Sequence, residues 1–306
     1  MFILRSICRK GMKRMMNIKK LLVVGGDKRQ LYMADSLMHK GFDVELYGFS
    51  PLDGFEHMSY VGDKSFESAA AGANAVILPL PVSRDGITVT SQGGGRTVTL
   101  EELSDILERG QTVFAGMMSN SWKSNFFKKG IRVFDYFERE ELVVNNAIPT
   151  AQGVIKIAID NLEITLHSSS FAITGYGRTA KVLARILKAM GANVTVAARK
   201  CSDLAWARSE GFEGVHIKDL PLCADKFDVL VNTVPTLVVD DSILAKLKKG
   251  CLIIEIASAP YGIDFARAKE LGLEVIVAGS LPGKTAPKTA GEIISDAISN
   301  IIKEGS

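Results

Sequence analysis

One ten-residue stretch limits the fold of this chain more than any other: Phe171-Ala172-Ile173-Thr174-Gly175-Tyr176-Gly177-Arg178-Thr179-Ala180. Its apolar start is a short buried strand, its Gly-x-Gly-x-x-Ala centre is a tight turn, and Lys181 to Met190 carries apolar residues at helical spacing. The two glycines let the chain turn without a Cβ clash and let a pyrophosphate approach the backbone, while Ala180 lets the helix pack close to the strand. Free N–H groups and the helix dipole favour phosphates at that N-terminus. Gly175, Tyr176, Gly177, Arg178 and Thr179 are therefore expected to bind a nucleotide. Such a triplet also arises by chance in glycine-rich loops, and it is the flanking strand and helix that give it meaning here.

The alternation continues with strands over 193–198, near Val215, over 227–232 and 251–256 and near Val275, with helices between them. This is a dinucleotide-binding repeat. When the cofactor is NAD, the second strand normally ends in Asp or Glu, which bonds the ribose 2′-OH. Here it ends Ala197-Ala198-Arg199-Lys200-Cys201-Ser202. Arg199, Lys200 and Ser202 suit a 2′-phosphate, so NADP is the expected cofactor and NAD the alternative, against the plain reading of a solvated strand end. Asn232, Thr233 and Pro235 after the fourth strand, and Ser258 after the fifth, are expected along the nicotinamide ribose. They also serve as ordinary turn residues.

The first half repeats the pattern. Lys20 to Gly25 is a strand, a helix runs to His39, and further strands cover 43–48, 75–79 and 112–116. The Gly25-Gly26-Asp27 turn lacks the third small residue of the dinucleotide fingerprint, so this domain need not bind a dinucleotide. Arg29, Arg84 and Ser119 each follow a strand, where ligands of open α/β sheets collect, and are candidates for an anionic substrate. Residues 87–90 and 97–99 around Ser91 to Arg96 are expected to form a hairpin. The fold class expected is α/β: two doubly wound parallel-sheet domains, the second a Rossmann NAD(P)-binding domain, joined by a long hinge helix over Ala151 to Leu166. The expected limits are 1–19 for a basic extension, 20–150 for the substrate-side domain, and 151–306 for the hinge helix, nucleotide domain and last helix. Lys288, at the start of that last helix, is a further candidate cation.

Composition narrows the classes. A net charge of +3 is too small to argue for nucleic acid, and part of it belongs to the first twenty residues. These lack the uninterrupted apolar core and cleavage site of a secretory signal. No apolar run approaches the roughly 20 residues that span a bilayer, so no membrane partner is expected. Four cysteines with no pair at metal-ligand spacing point to free thiols in a reducing cytoplasm, and no metal is expected. Homo-oligomerisation is left open.

The layout suits a 2-hydroxy-acid or amino-acid dehydrogenase, but a 2-hydroxy-acid enzyme needs a histidine near the last helix and an arginine after the fifth strand. His39, His57, His167 and His216 lie elsewhere, and the strand is followed by Ser258-Ala259-Pro260. No catalytic residue is assigned. Val24-Gly25-Gly26-Asp27-Lys28-Arg29-Gln30, Asn146-Ala147-Ile148-Pro149-Thr150-Ala151-Gln152-Gly153, Thr174 to Thr179, Asn232 to Pro235, and Leu281-Pro282-Gly283-Lys284-Thr285-Ala286-Pro287-Lys288-Thr289-Ala290-Gly291 together resemble the A subunit of dipicolinate synthase from spore-forming bacteria. The resemblance implies nucleotide-dependent oxidation of a dihydrodipicolinate-type lysine-pathway intermediate to pyridine-2,6-dicarboxylate. It further implies the mother-cell cytoplasm during sporulation and a separately encoded flavoprotein-like B subunit as partner. A dianionic ring substrate wants cations, for which Arg29, Arg84 and Lys288 are candidates. A nucleotide-binding scaffold without chemistry of its own is the reading from another class.

Overall fold

In the computed structural model, residues 17–305 are described. The chain divides into two compact units, one of Val144–Ala286 and one formed by the residues on either side of it. Residues 1–16 of the expected basic extension lie outside the described residues. Ile18, within the limits expected for that extension, is instead buried in the first core.

The first unit is built on β1 (Lys20–Val24), α1 (Lys28–His39), β2 (Asp43–Tyr47), β3 (Ser59–Tyr60), α2 (Phe66–Gly72), β4 (Ala75–Ile77), α3 (Leu100–Ile106), β5 (Thr112–Ala115), α4 (Asn120–Lys128) and β6 (Arg132–Asp135). The six strands form one parallel sheet in the order β3-β2-β1-β4-β5-β6. Strands such as β4 and β5 are buried throughout, because a parallel sheet carries helices on both faces. The order reverses between β1 and β4, which makes the C-terminal ends of these two strands the expected ligand position.

The chain then enters α5 (Glu140–Asn161), which starts earlier and ends sooner than expected and contains Pro149. The division between the units falls at Val143/Val144, inside this helix and not near Thr150. Proline tolerates a helical φ but removes one amide donor, and Thr150 Oγ1 bonds the neighbouring Asn146 carbonyl at 2.7 Å. By length and composition α5 is the one described helix able to cross a bilayer, a property not visible as a single apolar run. Its Ala151, Val154 and Ala158 are buried in the second core, which is the place of a core helix.

The second unit contains β7 (Ser170–Thr174), α6 (Arg178–Ala189), β8 (Asn193–Ala198), α7 (Cys201–Ser209), β9 (Glu213–His216), β10 (Val229–Asn232), α8 (Asp241–Leu244), β11 (Leu252–Glu255), α9 (Phe265–Glu270), β12 (Val275–Val277) and α10 (Leu281–Thr285). Its parallel sheet runs β12-β11-β10-β7-β8-β9, the doubly wound arrangement expected. Ala180, Leu183, Ala184 and Leu187 form the buried face of α6. A Cβ at Gly153 would stand 2.9 Å from Leu281 Cβ, so a glycine lets α5 and α10 meet closely.

The last helix, α11 (Pro287–Glu304), departs from the expected organisation. Its place in the chain suggests the nucleotide domain, but it belongs to the first unit, packed along α1. Ile294, Ala297, Ile298, Ile301 and Ile302 fill the core beside Leu31, Ala34 and Leu37. At the crossing, a Cβ on Gly291 would collide with the Arg29 carbonyl oxygen, which is why the helices approach at a glycine. The first sheet thus needs the end of the chain to cover one face. Ile298→Ala is expected to lower the unfolding free energy by about 2–5 kcal/mol, because Ile298 is fully buried; urea unfolding followed by circular dichroism checks this.

Candidate functional site

In the second unit the C-terminal ends of β7, β8 and β10 enclose an open cleft of about 260 Å³. Gly175 (φ +87°) turns the chain away from β7, and a Cβ there would stand 2.7 Å from Thr233 Oγ1. Gly177, the N-cap of α6, has no side-chain cap and open space where a Cβ would be, so the N-terminus of α6 is open to an anion. Arg178 and Thr179 form that first turn.

Gly175, Gly177, Arg199, Lys200, Thr233 and Pro235, all expected at the cofactor, line this cleft. Arg199 and Lys200 are exposed, and no described carboxylate pairs with either. Ser202 is exposed in the first turn of α7. Three expectations change. Tyr176 is part of the cleft lining, but its ring is buried in the second core, edge-on to Phe212 at 6.4 Å and beneath Lys181 Nζ at 5.4 Å. Burial pushes the Tyr176 hydroxyl up to about 12, so it stays a phenol. Asn232 is fully buried, with its amide used by neighbouring groups, and so braces the cleft wall from behind. Ser258 is exposed and does not line the cleft.

Val234, inside the expected 232–235 turn, also lines the cleft, as do Asp203, Ile217, Thr236 and Val238, none of which is among the expected residues. Ile217 and Val238 follow strand or turn segments with no motif to mark them, and Asp203 lies inside a helix, away from the strand-end position where a carboxylate is expected. It is the one carboxylate of the lining, placed in α7 and not at the end of β8.

In the first unit, Gly25 (φ +65°) and Gly26 (φ +116°) make the turn after β1. Asp27 and Gln30 then form a capping box: the Asp27 carboxylate accepts from Arg29 N, and Gln30 Oε1 accepts from Asp27 N at 2.9 Å. Arg29 is consequently not an open carboxylate clamp. Its side chain is buried, Nε and Nη2 donate to Asp27 at 2.9 and 2.8 Å, and Nη2 also donates to the Leu80 carbonyl at 2.7 Å. It ties the turn after β1 to the segment after β4, which carries the cis Leu80–Pro81 bond.

The expected hairpin is not a pair of strands. Thr88 and Thr99 form an isolated antiparallel bridge, with Val89 N bonded to the Val98 carbonyl at 2.9 Å. The tip folds across the ends of β1 and β2 instead, bridging Gly26 with Ser91 and Phe49 with Gly94. Gly93 and Gly95 allow it to lie against Gly48 and Phe49. At its start the Asp85 carboxylate accepts from Ser83 Oγ, from both Thr88 N and Oγ1, and from Ile87 N, at 2.6–2.8 Å. These bonds, the Thr88 hydroxyl first, hold its carboxyl well below the usual range. Trp122 Nε1 adds a bond to the Gly86 carbonyl at 3.0 Å. Arg84 therefore stands exposed on a fixed loop, with no ion-pair partner among the described residues.

Ser119 is exposed at the N-cap of α4, its Oγ 2.9 Å from Ser121 Oγ and accepting from Trp122 N. Lys288 is exposed in the first turn of α11, and so belongs to the same unit as Arg84. Asp135, at the end of β6, is a further residue that no motif marks. Nearly buried, it accepts from Met117 N, Met118 N and Phe137 N at 3.0–3.1 Å and pairs with Lys123 at 2.9 Å, which holds Met117 at φ 60°. The histidines are bonded locally: His39 and His57 to Asp35, His167 to Ser168, and His216 as a cap to Lys218 N. No grouping of acids, histidines and cysteines among the described residues holds a metal.

Residues 20–137 match the family model of the N-terminal domain of the dipicolinate synthase A subunit, and residues 165–298 match that of the NADPH-binding domain of acetohydroxy acid isomeroreductase. The A subunit of dipicolinate synthase from Bacillus subtilis (strain 168) is 33% identical over 288 residues, covering 93% of this chain and 96% of that protein. The crystal structure of the same protein from Bacillus halodurans is 30% identical with a TM-score of 0.85, covering 94% of this chain and 99% of that one. The crystal structure from B. subtilis is 31% identical with a TM-score of 0.82, covering 94% and 96%.

Because Arg29 braces a turn, Arg29→Met is expected to lower the thermal midpoint by about 3 °C or more, with Arg29→Lys failing to restore it, since a lysine cannot reproduce the forked bonds to Asp27 and Leu80. Differential scanning calorimetry of the three proteins decides this.

Proposed function

The chain belongs to the family of dipicolinate synthase A subunits, and from that premise we propose that it is an NADP-dependent oxidoreductase converting a dihydrodipicolinate-type lysine-pathway intermediate to pyridine-2,6-dicarboxylate. It acts with a separately encoded second subunit in the cytoplasm of the mother cell during sporulation. The observation that carries the cofactor assignment is the end of β8, where Arg199 and Lys200 stand exposed at the cleft and no carboxylate occupies the strand end. A carboxylate there would repel a 2′-phosphate, whereas two cations and the Ser202 hydroxyl hold one. The match to an NADPH-binding domain supports the same choice.

When bound, NADP supplies the hydride acceptor. The first N–H groups of α6 hold its pyrophosphate, with Gly175 and Gly177 giving the backbone its close approach. Thr233 and Pro235 flank the nicotinamide ribose. On the substrate side Arg84 grips one carboxylate, with Ser119 and Lys288 as further polar contacts, while Arg29 shapes the turn beneath. A ring carbon of the substrate gives up a hydride and its neighbour gives up a proton to solvent, which leaves the aromatic pyridine. Aromatisation supplies much of the driving force, and this accords with a site in which no histidine stands ready as a base.

A nucleotide-binding scaffold for the partner is the second reading, favoured by the lack of an acid–base pair along the cleft lining. Purified chain, with and without its partner, incubated with NADP and enzymatically made dihydrodipicolinate, separates the two: dipicolinate forms, followed by chromatography, or it does not. Arg199→Glu combined with Lys200→Glu is expected to weaken NADPH binding about tenfold or more while NADH binding changes little, measured by fluorescence titration. Arg84→Met is expected to raise the substrate KM about tenfold with kcat little changed and the thermal midpoint intact, as for removal of a contact shared by ground and transition states.

A further inference from the structure

Glu255 ends β11 and is fully buried. A buried carboxylate needs compensation, and here N–H donors provide it. Asn232 Nδ2 reaches both carboxylate oxygens at 2.8 Å, Ala257 N donates at 2.8 Å and Gly262 N at 2.9 Å. The bonds continue inward from Asn232. Its Oδ1 accepts from Thr174 Oγ1 at 2.5 Å and from Val234 N at 3.2 Å, and its Nδ2 also donates to the Val234 carbonyl at 3.0 Å. Thr233 Oγ1 then donates to the Thr174 carbonyl at 2.7 Å. One connected set of bonds therefore joins the ends of β7, β10 and β11 and fixes two loops, 233–238 and 256–262.

These loops lie on a defined side of the site. In the sheet, β8 is on one side of β7, and β10 and β11 are on the other. A dinucleotide with its pyrophosphate on the turn after β7 has its adenosine end over β8 and its nicotinamide end over β10 and β11. Gly262 shows how closely the arrangement is fitted. A Cβ there would collide with the Val234 carbonyl and stand 2.8 Å from that of Thr236, both in the loop that lines the cleft.

We propose that Glu255 is a positioning residue for the nicotinamide half of the cofactor, acting through Asn232 and the 233–238 loop without touching the ligand. The inference rests on the NADP reading above. It makes the two halves of the cofactor separable: Arg199 and Lys200 set the affinity for the adenosine half, while Glu255 sets whether the rest of the molecule adds to it. In Glu255→Gln one acceptor oxygen becomes an NH₂ group facing N–H donors, so at least one bond of the set is lost and the loop loosens. Gly262→Ala disturbs the same loop from the other side and leaves the Glu255 side chain itself unaltered.

The test is calorimetric titration of the full chain, as wild type, Glu255→Gln and Gly262→Ala, with NADPH and with adenosine 2′,5′-bisphosphate, a fragment that carries the 2′-phosphate but no nicotinamide. The expected result is a loss of about tenfold or more in NADPH affinity in both variants, with fragment affinity kept within about twofold. Equal losses for both ligands would mean general damage to the domain and would overturn the proposal, as would unchanged NADPH affinity in either folded variant. Wild-type protein that binds neither ligand would overturn the NADP reading itself, and this inference with it. A Glu255→Gln protein that fails to fold leaves the decision to Gly262→Ala, by the same criteria.

Discussion

A parallel sheet sends all its strands out at one edge, and the backbone N–H groups of the loops that leave it need acceptors there. Both units meet this demand with a buried carboxylate at a strand end. Asp135, at the end of β6, accepts from three backbone N–H groups, two of them in the Met117-Met118 segment that follows the adjacent strand β5. Glu255, at the end of β11, accepts from two backbone N–H groups and from the Asn232 amide of the adjacent strand β10. Each acid couples its own strand to its neighbour's loop, so the loops that carry candidate ligand contacts are held by groups that never need to touch a ligand. Asp27 plays a related part through Arg29, whose guanidinium joins the turn after β1 to the segment after β4.

The same economy explains why polar residues expected at the ligand turn out to lie behind it. Asn232, Arg29 and Tyr176 all occur beside a strand end, and all three point inward. What faces solvent is Arg178, Arg199, Lys200, Ser202 and Ser258 in one unit, and Arg84, Ser119 and Lys288 in the other. In the first unit, the bonds around Asp85 hold the exposed Arg84 on a short, well-anchored segment, which limits the conformational entropy such a side chain loses on meeting an anion.

Much of this is legible in the residues. The alternation of apolar strands with helix-spaced segments is a local signal, and it identifies the parallel sheets and the turn at Gly175 to Ala180. Asp27-x-x-Gln30 is likewise a local capping-box pattern and marks Arg29 as part of a closed turn; the positive charge of Arg29 draws attention from it. A lone Glu255 at the end of the apolar run Leu252-Ile253-Ile254 is a similar signal, because a charge in that position has to find donors. Other features depend on contacts distant in sequence. Nothing within α11 states that its isoleucines will meet α1, some 260 residues earlier, and not the strand just before it. The segment 87–99 has the alternation of a hairpin, but the unmet bonds at the ends of β1 and β2 capture its glycine-rich tip.

The return of α11 to the first unit also sets the order in which the molecule is completed during synthesis. Ribosomes deliver chains from the N-terminus, and domains generally fold as they emerge. Here the sheet that emerges first waits for the segment Pro287–Glu304, while the whole of Val144–Ala286 is made in between. Until then Leu31, Ala34 and Leu37 of α1 lack the isoleucines that cover them. The nascent chain thus passes through a stage in which its later unit is fully synthesised and its earlier one is still open along an apolar face.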